Sequence, residues 1–259
     1  MENSECKAVT SEPIPNLIDR FNFTALRRHS INPHIRVESS GYQTLQDLIV
    51  HASHTAARRQ HTIDLLDIGG GSGKRYEMVM RQQTNYTSLD FALPPDHGTS
   101  GRPRSVIGSV QRCNAHLPSS SYDMVSALNV FEHIVAPWRA ATEMLRLVKN
   151  GGLLIVIVPF SIRYHAYPID TYRYTHTALR YLFERHGGVS TLYSAYCSDN
   201  SSVVVNGHYA DRSDYPPLPR FRISPYISLL WVGRREDGTP FSPSTFDRNQ
   251  AFPPLDLQL

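Results

Sequence analysis

Cysteine is scarce. Cys6, Cys113 and Cys197 are far apart and odd in number, which encodes neither a disulfide framework nor a zinc ribbon and fits a reducing compartment. Long apolar runs are also missing: the longest is residues 153–158, whereas a helix needs roughly 20 apolar residues to cross a bilayer. The first residues, Met-Glu-Asn-Ser-Glu-Cys-Lys, hold no basic stretch followed by an apolar one. A cytoplasmic chain with no membrane partner is therefore expected. Nor is basic charge concentrated. The formal net charge is +3 and, apart from Arg20, Arg27, Arg28 and Arg36, the cations are scattered, which argues against a nucleic-acid partner.

What is present suits one folded unit. A hydrophobic share of 41% against 19% charged residues belongs to a globular protein, and 259 residues hold one sizeable α/β domain more comfortably than two. A single domain over 1–259 is expected, with a loose polar leader at 1–16, a core at 45–235 and an extended proline-rich tail at 236–259. Either extension could pack against a second copy, so a homodimer is allowed.

Between the extensions, strand and helix patterns alternate. Leu45, Leu48, Ile49 and Ala52 predict a helix over 45–57. Residues 63–68 read as a buried strand running into Gly69-Gly70-Gly71. A helix over 74–83, a strand over 86–91, a Pro/Gly-rich loop over 94–103 and a short strand at 105–107 follow. Residues 122–128 form the next strand. Pro137 opens a helix with Trp138, Ala141, Met144, Leu145 and Val148 on one face, stopped by Asn150-Gly151-Gly152. The aliphatic run 153–158 suits a parallel strand covered on both faces. A helix at 177–185 and strands at 189–196 and 227–233 complete the order. The expected fold is α/β: a doubly wound, mainly parallel, seven-stranded Rossmann-like sheet with helices on both faces and a short substrate-covering insertion after the fifth strand.

The segment Leu65-Leu66-Asp67-Ile68-Gly69-Gly70-Gly71-Ser72-Gly73 is an aliphatic strand ending in an acid and then glycines. Such a turn lets backbone approach a ligand that a Cβ would exclude, at the carboxyl end of the sheet where open α/β folds bind. Lys74 stands where the dinucleotide pattern Gly-x-Gly-x-x-Gly needs its third glycine, so that pattern fails. The segment instead resembles motif I of the class I S-adenosylmethionine-dependent methyltransferases, Asp/Glu-x-Gly-x-Gly-x-Gly. Later stretches agree with it in order. Cys113-Asn114-Ala115-His116-Leu117-Pro118 and Ser121-Tyr122-Asp123-Met124-Val125 are similar to Asp-Ala-x-x-Leu-Pro and Phe-Asp-x-Val, with Asn114 in place of the acid. Asn129-Val130-Phe131-Glu132-His133-Ile134 resembles the family's Glu-His stretch. Residues 143–152 resemble Glu-x-x-Arg-Val-Leu-Lys-Pro-Gly-Gly, with Asn150 for proline. The resemblance implies S-adenosyl-L-methionine as cofactor, held by Asp67, Gly69, Gly70, Gly71, Gly73, Asp90, Phe91, Asn114, Ala115 and Asn129. Asp90, ending the second strand, would accept bonds from both ribose hydroxyls.

Residues 129–132, Asn-Val-Phe-Glu, lack the Asn/Asp-Pro-Pro-Tyr/Phe of amino methylation on bases, and no Pro-Cys serves covalent pyrimidine chemistry. After the fifth strand, residues 159–175 resemble a His-x-x-Pro-x-Asp-x-x-Arg-x-Thr segment of bacterial members of the family. Its Tyr, His, Asp and Arg suit a polar, hydroxyl-bearing small-molecule acceptor. Tyr164, Tyr167, Tyr172 and Arg173 are the candidate substrate contacts. His133 and His165 are the candidate bases, with Asp170 as their catalytic companion. His133 suits a helix-entry role equally well, and Asp170 with Arg173 could simply brace the loop. His133, His165, Asp170 and His176 match no metal-ligand spacing, and no metal is expected. The expectation is methyl transfer to a hydroxyl of a natural product or saccharide. Transfer to a small amine, a non-catalytic cofactor-binding accessory role, and modification of RNA or protein stay open.

Overall fold

The computed structural model describes residues 37–38, 41–70, 84–91, 104–115, 117–162, 164–166, 168–185, 187–198 and 227–236. The expected leader, the helix over 74–83, the loop over 94–103 and all but the first residue of the tail lie outside them. The chain runs β1 (Val37–Glu38), α1 (Gly41–Arg58), β2 (Ile63–Ile68), β3 (Thr84–Asp90), β4 (Arg104–Ile107), β5 (Tyr122–Leu128), α2 (Pro137–Leu147), β6 (Val148–Ser161), α3 (His176–Glu184), β7 (Val189–Ser198) and β8 (Ile227–Arg235). Short 3-10 turns lie at Val110–Ala115 and Phe131–His133.

The strands form one sheet in the order β1-β7-β8-β6-β5-β2-β3-β4. Pairing is parallel from β4 across to β6, while β8 runs antiparallel to both β6 and β7. Seven strands give the expected doubly wound sheet. The eighth, the two-residue β1, adds to the β7 edge in parallel, with Val37 opposite Tyr196; it carries no apolar run for a sequence pattern to detect.

Alternation along the central strands builds the two sides of the core. On one side Leu153, Ile155 and Ile157 of β6 join Leu65, Met124 and the Leu48, Ile49, Ala52 stripe of α1. On the other, Leu154, Val156 and Val158 join Val125, Ala127, Met144, Leu179, Phe183 and Trp231. Every residue of β5 is buried, as a strand covered on both faces requires. Among the described residues no helix is long and apolar enough to cross a membrane.

The stop after α2 differs from the expected one. The helix ends at Leu147, and Asn150-Gly151-Gly152 lie inside β6, with Gly151 at φ +74°. A Cβ on Gly152 would stand 2.8 Å from the Asp123 carbonyl oxygen and 2.9 Å from that of Lys149, so backbone packs where a side chain cannot. The polar residues around this turn close the amino edge of the sheet, away from the glycine turn. Lys149 Nζ reaches Asp64 and Asp123, each at 3.1 Å, and Asp123 also accepts the Asp64 N–H at 2.9 Å. Arg146 pairs with Glu143 at 2.9 Å and donates to the Leu117 carbonyl at 2.9 Å, pinning the approach to β5. Arg235 of β8 donates to the Leu145 and Val148 carbonyls, capping α2, and burial pulls its pKa down.

Candidate active site

At the opposite, carboxyl edge, three neighbouring strands end side by side: Ile68 of β2 is in register with Leu89 of β3 and Ala127 of β5. Gly69 then turns at φ +70° and donates its N–H to the Leu89 carbonyl at 2.8 Å. A Cβ there would approach Val130 Cγ2 to 2.5 Å, and one on Gly70 would collide with Asp67 Oδ2 and the Tyr86 hydroxyl. Both positions therefore require glycine for steric reasons. Gly71 and Gly73 lie outside the described residues.

Asp67 sits beneath this turn, buried, accepting from Tyr86 Oη at 2.8 Å and Ser126 Oγ at 2.9 Å. Those bonds fix the turn from below. Asp90, half-buried at the end of β3, accepts the Phe91 N–H at 2.7 Å, and the Phe91 ring is exposed beside it. Asn129, just past β5, adopts φ +51° and donates its N–H to the Ile157 carbonyl at 2.7 Å; Asn tolerates this left-handed conformation better than most residues. Asn114 and Ala115 fall in the 3-10 turn Val110–Ala115, with their side chains outside the described residues. A side-chain-free cradle at Gly69 and Gly70 beside a carboxylate at the next strand end fits a nucleoside cofactor with an amino-acid tail.

Next to this cradle, the turn Phe131–His133 presents Glu132 with zero exposure, and neither carboxylate oxygen has a hydrogen-bond partner among the described residues. Nε2 of His133 lies 3.6 Å and Nε2 of His165 3.8 Å from Glu132 Oε1. The two imidazole rings meet edge to face, their centroids 5.1 Å apart. Each ring is held from behind. His133 Nδ1 is 2.5 Å from the Ile169 carbonyl oxygen, and His165 Nδ1 is 3.1 Å from Asp170 Oδ2. A carbonyl and a carboxylate can only accept, so both Nδ1 atoms carry the proton and both Nε2 atoms face Glu132.

Asp170 is itself fixed. It accepts the His165 backbone N–H at 2.8 Å and both Arg173 nitrogens, at 2.5 and 2.7 Å. Burial alone would raise its pKa; the Arg173 guanidinium, the His165 N–H and the nearby positive charges outweigh this and hold the carboxyl at about 2. Asp170 thus braces His165 and Arg173 together, and its side chain stands behind the cluster.

The segment after β6 is strapped over the Phe131–His133 turn. The N–H groups of Thr171 and Tyr172 both donate to the Glu132 carbonyl, at 2.8 and 3.3 Å. Tyr174 Oη donates to the Phe131 carbonyl at 3.0 Å, and Tyr172 Oη to that of Val135 at 3.1 Å. Tyr174 is buried, which pushes its phenol pKa up. The Tyr172 and Tyr174 rings pack 5.7 Å apart and both serve the strap. Of the candidate substrate contacts, Tyr164 is exposed, Arg173 is engaged by Asp170 and the Tyr172 carbonyl, and Tyr167 lies outside the described residues. His176 opens α3 and bonds Tyr196, apart from the other two histidines.

The Glu-His stretch of the sequence assigns Glu132 no role of its own. Its signal was adjacency: a carboxylate and an imidazole in one short turn after a buried strand.

Comparison with known proteins agrees with this architecture. The methyltransferase domain family matches residues 40–196. The chain is 29% identical over 162 residues to an uncharacterized methyltransferase of Mycobacteroides abscessus, covering 55% of this chain and 62% of that protein. It is 30% identical over 105 residues to another from Mycolicibacterium gilvum, covering 39% of this chain and 41% of that one. The chain thus spans about two fifths to three fifths of these curated relatives. Among solved structures, a putative sarcosine dimethylglycine methyltransferase from Galdieria sulphuraria shares the fold, with TM-score 0.53, 17% identity, and coverage of 75% of this chain and 86% of that one. With the glycine cradle, the strand order and this match over more than half its length, the chain belongs to the methyltransferase domain family, the S-adenosylmethionine-dependent proteins of class I Rossmann-like fold.

Proposed function

We propose that the chain transfers a methyl group to a hydroxyl of a small molecule, a natural product or saccharide, and that the Glu132–His133–His165 cluster is where the acceptor is activated. The observation that carries this reading is the pair of imidazole Nε2 atoms beside the buried Glu132, each oriented through its Nδ1. A hydroxyl is a weak nucleophile and gains from a positioned base; an amine, already nucleophilic when neutral, needs one less.

When bound, S-adenosylmethionine would supply an electrophilic methyl group. Gly69 and Gly70 with Asp90 would hold it, the glycines by leaving room for its amino-acid half and Asp90 by accepting from its sugar; Phe91, Asn129, Asn114 and Ala115 complete that set. His165 Nε2 takes the hydroxyl proton as the new oxygen–carbon bond forms and the sulfur–carbon bond breaks. Asp170 keeps the His165 Nδ1–H in place and is a positioning residue. The strap through Thr171, Tyr172 and Tyr174 keeps His165 next to the turn that carries His133 and Glu132.

The test is methyl transfer from labelled cofactor across a panel of hydroxylated small molecules and matched amines, with the product atom located by mass spectrometry. His165→Ala should lower kcat by about 10²–10⁴-fold while leaving S-adenosylhomocysteine affinity unchanged. Methyl found on nitrogen, or full turnover in both His165→Ala and His133→Ala, overturns the reading.

A further inference from the structure

We propose that Glu132, His133 and His165 form a binding site for one divalent transition-metal cation, coordinated by a Glu132 carboxylate oxygen and the two Nε2 atoms. The inference rests on the reading of this cluster as the acceptor's activation site and supplies an agent for it.

One ligand atom from each of the three side chains lies within 4.8 Å of the others. Both Nδ1 atoms are occupied by acceptors, which leaves an Nε2 lone pair on each ring turned towards the carboxylate. Three electron-rich atoms this close repel one another unless something positive stands between them. Direct hydrogen bonds are not that something. The Nε2–Oε1 separations of 3.6 and 3.8 Å are too long, since N–H···O bonds run at about 2.7–3.2 Å. They come close instead to the spacing of ligands around an ion. Atoms roughly 2.1 Å from a tetrahedral metal stand about 3.4 Å apart, a few tenths of an ångström less than observed.

Burial points the same way. Glu132 has zero exposure and neither oxygen has a hydrogen-bond partner among the described residues, and an uncompensated buried carboxylate is strongly unfavourable. The outer contacts are those a metal site needs. A ligating histidine is commonly held through its other nitrogen by a carbonyl or a carboxylate, and here Ile169 and Asp170 supply one of each. Arg173, bound to Asp170 on its far side, fixes that second contact in turn.

The donor set selects the ion. Two imidazole nitrogens and one carboxylate oxygen suit Zn²⁺, Co²⁺, Mn²⁺ or Fe²⁺, whereas Mg²⁺ and Ca²⁺ prefer all-oxygen surroundings. Three protein ligands leave a position open, and the histidine side chains keep 18% and 15% of their exposure, so an acceptor oxygen can enter there. With a cation bound, both Nε2 lone pairs would serve as ligands, and a coordinated hydroxyl, made more acidic by the ion, would lose its proton to solvent instead of to His165.

Co²⁺ and Zn²⁺ are titrated by calorimetry into the full chain after removal of metals with a chelator, and Co²⁺ is followed by its visible absorption. One ion per chain is expected, with a visible Co²⁺ band and no comparable Mg²⁺ binding. Glu132→Gln and His165→Ala should each weaken binding by more than about tenfold and Asp170→Asn by about 10–100-fold, while His176→Ala leaves it unchanged. Circular dichroism confirms that the variants are folded. Absence of stoichiometric binding, or equal binding in Glu132→Gln and His165→Ala, overturns the inference. The two readings separate cleanly: chelator-insensitive methyl transfer without metal binding defeats the cation and keeps the transferase, whereas metal binding with no transfer to hydroxyl acceptors does the reverse.

Discussion

Gly70→Ala puts the cradle itself to the test. The new Cβ would collide with Asp67 Oδ2 and the Tyr86 hydroxyl. Neither neighbour can swing aside freely, because both are buried and bonded to each other at 2.8 Å, and Asp67 is also held by Ser126. Relief requires breaking the Tyr86–Asp67 bond, worth about 1.5–3 kcal/mol for a charged acceptor, or shifting the turn, for which overpacking costs about 1–3 kcal/mol. Taking the cheaper route leaves a loss of about 2 kcal/mol, which lowers Tm by roughly 4–8 °C in a chain of this size. The displaced backbone should weaken S-adenosylhomocysteine binding by at least about tenfold by calorimetry, equivalent to about 1.4 kcal/mol. Tyr86→Phe removes the hydroxyl the new carbon meets, so Gly70→Ala/Tyr86→Phe should be less destabilised than the sum of the single variants. A Gly70→Ala chain with unchanged Tm and unchanged affinity would refute the packing described beneath this turn.

Two further substitutions separate framework from site. Lys149→Met removes the ammonium from the buried Asp123 carboxylate, which keeps the Asp64 N–H at 2.9 Å and His61 Nε2 at 3.4 Å, and should cost at most about 3–5 kcal/mol in chemical denaturation, while cofactor affinity of the folded fraction is preserved because the network lies at the other edge of the sheet. Equal stability would show that Asp64 and Asp123 need no cation there. Tyr174→Phe removes the phenol's bond to the Phe131 carbonyl, which keeps the Ile134 N–H at 3.2 Å, a loss of about 0.5–1.5 kcal/mol. It should reduce kcat more than cofactor affinity, since it loosens the strap that holds His165; a parallel loss of both would place the strap's role elsewhere.

Much of the architecture was legible because its signals are local. The unalternating run at residues 153–158, the glycines after Ile68 and Pro137 at the head of α2 each state a strand, a turn or a helix start through covalent geometry and burial alone. The order of those elements then implied the sheet. The misses share a cause. β1 is two residues pairing with β7, held by contacts with a distant strand rather than by any pattern of its own. Asn150-Gly151-Gly152 carry a helix-stop composition, yet they fall at the irregularity between Val148 and Leu153, both of which pair with β5, and so run on within β6.

Sequence by itself determined the family, the sheet and the position of the glycine turn, because motif I and its neighbours are short stretches in which each residue acts on the few beside it. The tertiary structure decided which side chains meet. Glu132 and His165 are far apart along the chain and come within 3.8 Å only because the segment after β6 folds back onto the turn after β5. It also pairs Asp170 with Arg173 and His165, the bracing left open in the sequence, and bonds the Tyr172 hydroxyl to the Val135 carbonyl. Spacing along a chain carries no record of which loops are hydrogen-bonded to one another, and this site is built from two.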